Sequence, residues 1–157
     1  LKKYAAILAL VAIVLVIVAV ISLNYSSPAD EFIDQLLIER TELVDYVVDG
    51  DTIRLQGDER IRLVCVNTPE LDSEDPDEQE RAEQAKEFVE GLCPPESEIG
   101  LNVDDLEPTD HYGRTLAVVY ARVDNVWTNV NEELLRSGLA EILFIPPSEF
   151  NPYEWLG

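Results

Sequence analysis

Three short stretches of this 157-residue chain hold the side chains best suited to chemistry. Asp49-Gly50-Asp51-Thr52 and Asn67-Thr68-Pro69-Glu70 bring together carboxylates and a carboxamide. These are hard oxygen donors, which favour Ca²⁺ or Mg²⁺ over zinc. Asp110-His111-Tyr112-Gly113-Arg114 ends in a guanidinium, whose planar fork matches phosphate oxygens. Arg62 lies a few residues before Asn67. Each stretch alone is an ordinary turn, since Asp, Asn and Gly build turns for their own reasons. Two guanidinium forks and a cation site are together the parts needed to bind and polarise a phosphodiester. The chain has few arginines to spare for such motifs: 11 Lys and Arg stand against 32 Asp and Glu.

Those residues need a scaffold that brings the three stretches together. Leu43–Val48 is β-rich, Asp49-Gly50 follows, and Asp51–Leu55 continues as a second apolar run, which predicts a hairpin. After the turn at Gln56-Gly57-Asp58-Glu59, Arg60–Val66 reads as a third strand with Ile61, Leu63 and Cys65 on one face. Its other face carries Arg60, Arg62, Val64 and Val66. Pro76–Leu92 reads as a helix with an apolar stripe of Ala82, Ala85, Phe88, Val89 and Leu92. Glu98–Val103 and Leu116–Val123 read as strands, with Asp124-Asn125 as the turn after the second. Trp127–Val130 leads into a second helix, Asn131–Arg136, closed by Gly138. Three strands, a helix, two strands and a helix predict an α+β domain built on a five-stranded OB-type Greek-key barrel with packed helices.

This set of motifs resembles the staphylococcal nuclease (thermonuclease) family. The resemblance rests on Val48–Thr52, Ile61–Val64, Val66–Glu70, Asp110–Arg114 and Asn131–Ala140, in the family's order over about residues 43–145. It implies an OB barrel and a Ca²⁺-dependent hydrolase that cuts DNA and RNA with little sequence preference. It further implies that Asp51 ligates Ca²⁺ directly, that Asn67 fills the second carboxylate ligand position, and that the Thr68 backbone carbonyl is also a ligand. Glu70 is then the general base for the attacking water, or its orienter. Arg62 and Arg114 hold the phosphate and stabilise its developing charge. Tyr112 contacts the nucleotide phosphate, and Phe144 is a stacking surface for a base.

The chain departs from the family pattern in several places. Asn67 stands where the family has Asp, which removes one negative charge from the metal site. Phe144 and Pro146 supply no tyrosine hydroxyl to the nucleotide platform, and His111 replaces a basic residue. The family's third helix is expected to be cut short, with Pro146–Phe150 and Trp155 expected to cap the barrel instead. These departures keep an alternative open, a catalytically inactive nuclease-fold binding module.

The first part of the chain is unlike the rest. Tyr4–Leu23 is an uncharged run of 20 residues preceded by Lys2 and Lys3. Its length matches a bilayer core at about 1.5 Å per helical residue. The expected organisation is an N-terminal transmembrane helix in a 1–24 membrane anchor, a 25–42 juxtamembrane spacer with a short helix over 31–40, and a 43–157 nuclease-like domain. The lysines place the domain outside the cytoplasm, tethered to the lipid bilayer through residues 4–23. A cleaved signal peptide is the alternative, and it too exports the domain. A monomer is expected.

The formal charge of −21 averages over these unlike parts, because no acid precedes Asp30. Such acidity excludes an ordinary nucleic-acid-binding composition with a basic face. It also predicts a high-salt habitat, in which distant charges are screened while contact pairs still act. Cys65 and Cys93 are either an exported disulfide or two buried thiols.

Overall fold

The structure is a computed structural model that describes residues 37–157. The expected 1–24 anchor and most of the 25–42 spacer lie outside the described residues. Among the described residues no helix is long and apolar enough to cross a membrane. The elements run β1 (Arg40–Asp49), β2 (Thr52–Leu55), β3 (Arg60–Leu63), β4 (Val66–Asn67), α1 (Pro76–Leu92), β5 (Glu98–Val103), β6 (Thr115–Val123), β7 (Val126–Asn129), α2 (Val130–Arg136), β8 (Glu141–Ile142) and α3 (Pro152–Trp155).

Five strands in the order β3-β2-β1-β5-β6 close into a barrel through a β3–β6 pairing, and β7 continues the sheet beyond β6. The closing pair is parallel, with Ile61 opposite Thr115 and Leu63 opposite Ala117, whereas the other pairs are antiparallel. The expected five-stranded barrel with packed helices is therefore present. The barrel is filled by branched side chains, among them Val44, Val47, Ile53, Ile61, Leu63, Ile99, Leu101 and Val119, all fully buried. Val44 and Val47 both point inward although three residues apart. β1 carries a register shift between Val44 and Tyr46, and the inserted residue resets the two-residue alternation.

Helix α1 forms where its stripe predicts. Asp75 caps it by accepting from the Asp77 N–H, Pro76 fits the first turn, and the buried face is Ala82, Ala85 and Val89. Helix α2 is capped by Asn129 and buries Val130, Asn131 and Leu134. Asn131 is a polar residue in that apolar face, and its carboxamide completes the barrel's hydrogen bonding. It accepts from the Val119 N–H at 3.0 Å and donates to the carbonyls of Val64 and Ala117 at 2.9 and 3.3 Å.

The third strand is shorter than expected. β3 ends at Leu63, and the chain turns through Cys65, a non-glycine residue at φ 66°. Arg62 explains the break, because its Nη1 donates to the carbonyls of both Leu63 and Val66, at 2.6 and 2.8 Å. A cation that gathers two carbonyls folds the chain where hydrophobic alternation alone would have continued the strand. Cys65 thereby leaves the barrel interior for a second cluster with Val64, Val118, Tyr120 and Trp127. Phe150 and Trp155 pack on that second cluster and not on the barrel core they were expected to cap. Trp127–Asn129, expected only to lead into a helix, forms a strand on β6. Arg40, expected at the end of a juxtamembrane helix, is the first residue of β1.

Both cysteines are buried and free, Cys93 in the barrel core and Cys65 in the second cluster, so the disulfide alternative is not realised. Burial pushes the Cys65 thiol up to about 11 and the Cys93 thiol to about 12.

Gly50 in the β1–β2 turn makes the closest approach of backbone to helix near the motifs. A Cβ there would lie 2.7 Å from the Cβ of Ala85 on α1 and 2.8 Å from Thr68. Gly50→Ala is therefore expected to cost about 1–3 kcal/mol by overpacking. Urea denaturation checks this, and a variant of wild-type stability would contradict the tight packing.

Candidate active site

The motifs meet because β3 sits between two partners. Across β2 its Arg62 lies opposite Thr52, the residue after Asp51. Across β6 it lies opposite Leu116, two residues beyond Arg114. Barrel closure thus places Asp51, Arg62 and Arg114 side by side, although they are far apart in sequence. β4 then continues from β3 and delivers Asn67, and Glu70 follows in the next loop.

The result is a cleft of about 430 Å³ whose lining includes Asp49, Asp51, Arg62, Asn67, Glu70 and Arg114. Asp51 is its buried anchor. Its Oδ2 accepts from the Thr68 N–H and hydroxyl at 3.1 and 3.2 Å and pairs with Arg62 Nη2 at 3.1 Å. Its Oδ1 accepts from the Thr52 hydroxyl at 3.2 Å, and that same hydroxyl receives Arg114 Nη1 at 3.2 Å. A continuous network therefore runs Arg114–Thr52–Asp51–Arg62.

Arg114 is aimed by Asp110. The Asp110 carboxylate accepts Arg114 Nε at 2.7 Å and the backbone N–H groups of Tyr112 and Arg114, each at 2.9 Å. Burial pushes Asp110 upward, but those donors more than offset it and hold the carboxyl below the usual aspartate range. Burial pulls the Arg62 guanidinium below its usual range against the attraction of Asp51, and an arginine stays charged even so.

Of the residues singled out in the sequence, Asp51, Arg62, Asn67, Glu70 and Arg114 line the cleft together. Thr68 is buried beneath Asp51 as a hydrogen-bond donor. Tyr112 and Phe144 lie outside the lining and are exposed at 65% and 39%, while their neighbours His111, Leu143 and Ile145 face into it. The Tyr112 ring lies against Arg114, whose Cζ is 5.3 Å from its centroid.

Three supporting groups escape a sequence reading. Thr52 and Asp110 stand within the motifs, but their role as arginine holders depends on the fold. Asp104 is buried and takes the N–H groups of Leu106 and Glu107 at 3.0 and 3.3 Å and the Ser148 hydroxyl, which ties one cleft wall to the C-terminal segment. Nothing local in sequence signals a partner 44 residues away.

Asp49 accepts the Asp51 N–H at 3.0 Å. Burial, and then the negative charge of Asp51, holds its carboxyl above the ordinary value of 3.8. A carboxyl raised on folding contributes stability that is full below its unfolded pKa and is lost as pH rises through the folded pKa. Asp49→Asn is therefore expected to raise Tm at neutral pH in EDTA, with the difference from wild type closing below pH 3.8. Thermal unfolding against pH checks this, and a gap independent of pH would contradict it.

As candidate cation ligands, the side-chain oxygens of Asp51 and Asn67 both lie against the Arg62 guanidinium. Arg62 Nη2 lies 3.1 Å from Asp51 Oδ2 and 3.4 Å from Asn67 Oδ1. Among the described residues no three His, Cys, Asp or Glu side chains group closely enough to hold a metal alone. The side-chain donors at this place are all oxygens, the chemistry that suits a hard cation.

Residues 60–156 match the family model described as staphylococcal nuclease homologue. The chain is 37% identical over 110 residues to a thermonuclease of Staphylococcus intermedius, covering 68% of this chain and 62% of the relative. A thermonuclease of Staphylococcus hyicus is 33% identical over 113 residues, covering 70% of this chain and 63% of the relative. Endonuclease YhcR of Bacillus subtilis (strain 168) is 36% identical over 114 residues, covering 67% of this chain but 9% of the relative. The chain thus spans a little over three fifths of the two thermonucleases and about a tenth of the endonuclease. With that match over most of the described residues, the chain belongs to the staphylococcal nuclease homologue family.

Proposed function

We propose that the chain is a Ca²⁺-dependent nuclease that hydrolyses phosphodiester bonds of DNA and RNA with low sequence specificity. The observation that carries this reading is the convergence of Arg62 and Arg114 on one cleft with Asp51, Asn67 and Glu70. Two guanidiniums can grip a phosphate from two sides and take up the charge that builds on its oxygens in the transition state. Their aim is fixed before substrate arrives, Arg62 by Asp51 and two carbonyls, Arg114 by Asp110 and Thr52. Glu70, exposed at the cleft edge, accepts a proton from the attacking water or orients it. Asp51, Asn67 and the Thr68 carbonyl would hold Ca²⁺, which supplies charge stabilisation to the phosphate when bound. Tyr112 and Phe144 flank the cleft as contacts for a neighbouring phosphate and a base. Low sequence preference follows from recognising the phosphodiester rather than base edges.

The same reading places the chain at the cell membrane as a monomer, anchored through residues 4–23 with its domain exported, or secreted if the anchor is cleaved. The acidity fits a high-salt habitat. At low salt the domain repels a polyanion, whereas at molar salt a Debye length of about 3 Å leaves only contact pairs.

The reading is tested by incubating the full chain with single-stranded DNA and with RNA, in Ca²⁺ or EDTA, from low to molar salt. Cleavage of both polymers in Ca²⁺ alone, sustained at high salt, is expected. No cleavage at any salt would favour the inactive binding module, for which the loss of a carboxylate at Asn67 is the supporting observation. A smooth fall in activity from low salt upward would sink the habitat.

A further inference from the structure

The cleft lining holds the carboxylates of Asp49, Asp51, Glu70, Asp104, Glu107 and Asp110. All but two are occupied. Asp49 accepts the Asp51 N–H, and Asp51 holds Thr68 and Arg62. Asp104 takes the N–H groups of Leu106 and Glu107 and the Ser148 hydroxyl, and Asp110 aims Arg114. The side chains of Glu70 and Glu107 enter no hydrogen bond or ion pair among the described residues. Glu70 has its place beside the attacking water. Glu107 has none in that chemistry. A bare carboxylate in a cleft for a polyanion repels the substrate unless it meets N–H groups.

The backbone fixes where Glu107 stands. Its N–H is held by Asp104 at 3.3 Å, and the next residue, Pro108, accepts the Leu116 N–H on its carbonyl at 3.0 Å. Leu116 is two residues beyond Arg114, within about 7 Å along the chain. Arg114, Leu116 and Glu107 all line the cleft. A guanidinium for phosphate, an apolar floor and an open carboxylate therefore follow one another along it. The C-terminal segment adds the alternate residues Leu143, Ile145 and Pro147 to the lining. Leu143 and Ile145 are 40% and 63% exposed. Apolar side chains left open beside a phosphate grip suit the flat face of a base.

An ionised carboxylate only accepts hydrogen bonds, so on a base it reads N–H groups. Adenine and cytosine each present one amino group beside a ring-nitrogen acceptor. Thymine and uracil present one N–H between two carbonyls, which a carboxylate repels. Guanine alone presents two adjacent donors, N1–H and the 2-amino group, which match both carboxylate oxygens at once.

We propose that Glu107 makes the cleft prefer guanine next to the scissile phosphate, its carboxylate accepting N1–H and the 2-amino group while Leu116 and Ile145 cover the ring. The proposal rests on the reading that the cleft takes a nucleic-acid phosphodiester. Glu107 is a binding residue here and takes no part in bond cleavage. Preference at one base position leaves cutting broad, because guanine recurs throughout an ordinary strand.

The test is equilibrium binding of the deoxy trinucleotides TpGpT, TpIpT and TpTpT to the full chain in Ca²⁺, with Glu70→Gln in every protein to prevent cutting. Inosine keeps N1–H and lacks the 2-amino group. TpGpT is expected to bind about 10-fold tighter than TpTpT, as a bidentate base contact allows, with TpIpT between them. Glu107→Ala is expected to bring the three to one affinity, by weakening TpGpT and leaving TpTpT no weaker. The fold should tolerate the change, since the N–H that Asp104 holds belongs to the main chain. The same ranking in Glu107→Ala, equal binding of TpIpT and TpGpT, or no binding of any trinucleotide would each overturn the preference. The nuclease reading is scored separately, by cutting of mixed-sequence single-stranded DNA in chains that retain Glu70. Guanine binding that depends on Glu107 without cutting would keep the preference and discard the nuclease.

Discussion

Arg62→Ala should abolish cleavage and destabilise the fold in one step. The side chain touches three things at once. Its Nη2 pairs with Asp51 at 3.1 Å, and its Nη1 holds the Leu63 and Val66 carbonyls at 2.6 and 2.8 Å. The pair is well shielded, with side-chain exposures of 11% and 9%. Removing one partner of a buried pair leaves the other charge uncompensated, at a cost of about 3–5 kcal/mol. Here the orphan would be Asp51, already close enough to Asp49 to raise its pKa. The two carbonyls would also lose the donor that folds the chain between β3 and β4, and Asn67 rides on that turn. Urea denaturation should therefore show a loss of several kcal/mol alongside the lost activity. Arg62→Lys should recover part of the stability, since an ammonium can neutralise Asp51. It should recover little activity, because a point charge replaces a fork. Wild-type stability in Arg62→Ala would contradict the staple at the β3–β4 turn.

Arg114→Ala should separate chemistry from folding. Its guanidinium is held by Asp110 and Thr52, but Asp110 keeps the backbone N–H groups of Tyr112 and Arg114 when the side chain is gone. The stability change should stay within about 1 kcal/mol, as for other ion pairs that remain partly open to water. Loss of one donor aimed at transition-state charge typically costs about 10²–10³ in kcat, and a fall of that size is expected here. Steady-state kinetics beside a melting curve checks both. A large drop in Tm would make Arg114 a structural residue, and unchanged kcat would remove it from the site. Both arginines are proposed to contact the phosphate, but only Arg62 also holds backbone carbonyls at the β3–β4 turn.

The parts of the molecule set by local pattern were readable from the residues. Helix α1 is bounded by Asp75-Pro76 and Cys93-Pro94, and its stripe of Ala82, Ala85 and Val89 is the face it buries. β5 runs over Glu98–Val103, as its apolar pattern predicts. The five cleft residues were readable because their motifs keep their order along the chain. What was not readable depends on partners distant in sequence. Arg62 breaks a strand that hydrophobicity would have continued, and only the carbonyls of Leu63 and Val66 reveal why. Asn131 looks like a helix-start polar residue, yet it completes the barrel's hydrogen bonding at Val119, Val64 and Ala117. The bulge after Val44 shifts the inward face of β1, and alternation alone does not show an inserted residue. Tyr112 and Phe144 flank the cleft and do not line it, because the loops that carry them turn their neighbours inward. The membrane anchor remains an expectation from the 4–23 run, outside the described residues.

The most direct test of the central claim is the rate at which the chain cuts single-stranded DNA as Ca²⁺ is titrated in at fixed salt. The rate is expected to rise with Ca²⁺ to saturation, to vanish in EDTA, and to fall by at least about 10²-fold in Glu70→Gln. Cutting that persists in EDTA, or that is indifferent to Glu70, would contradict it.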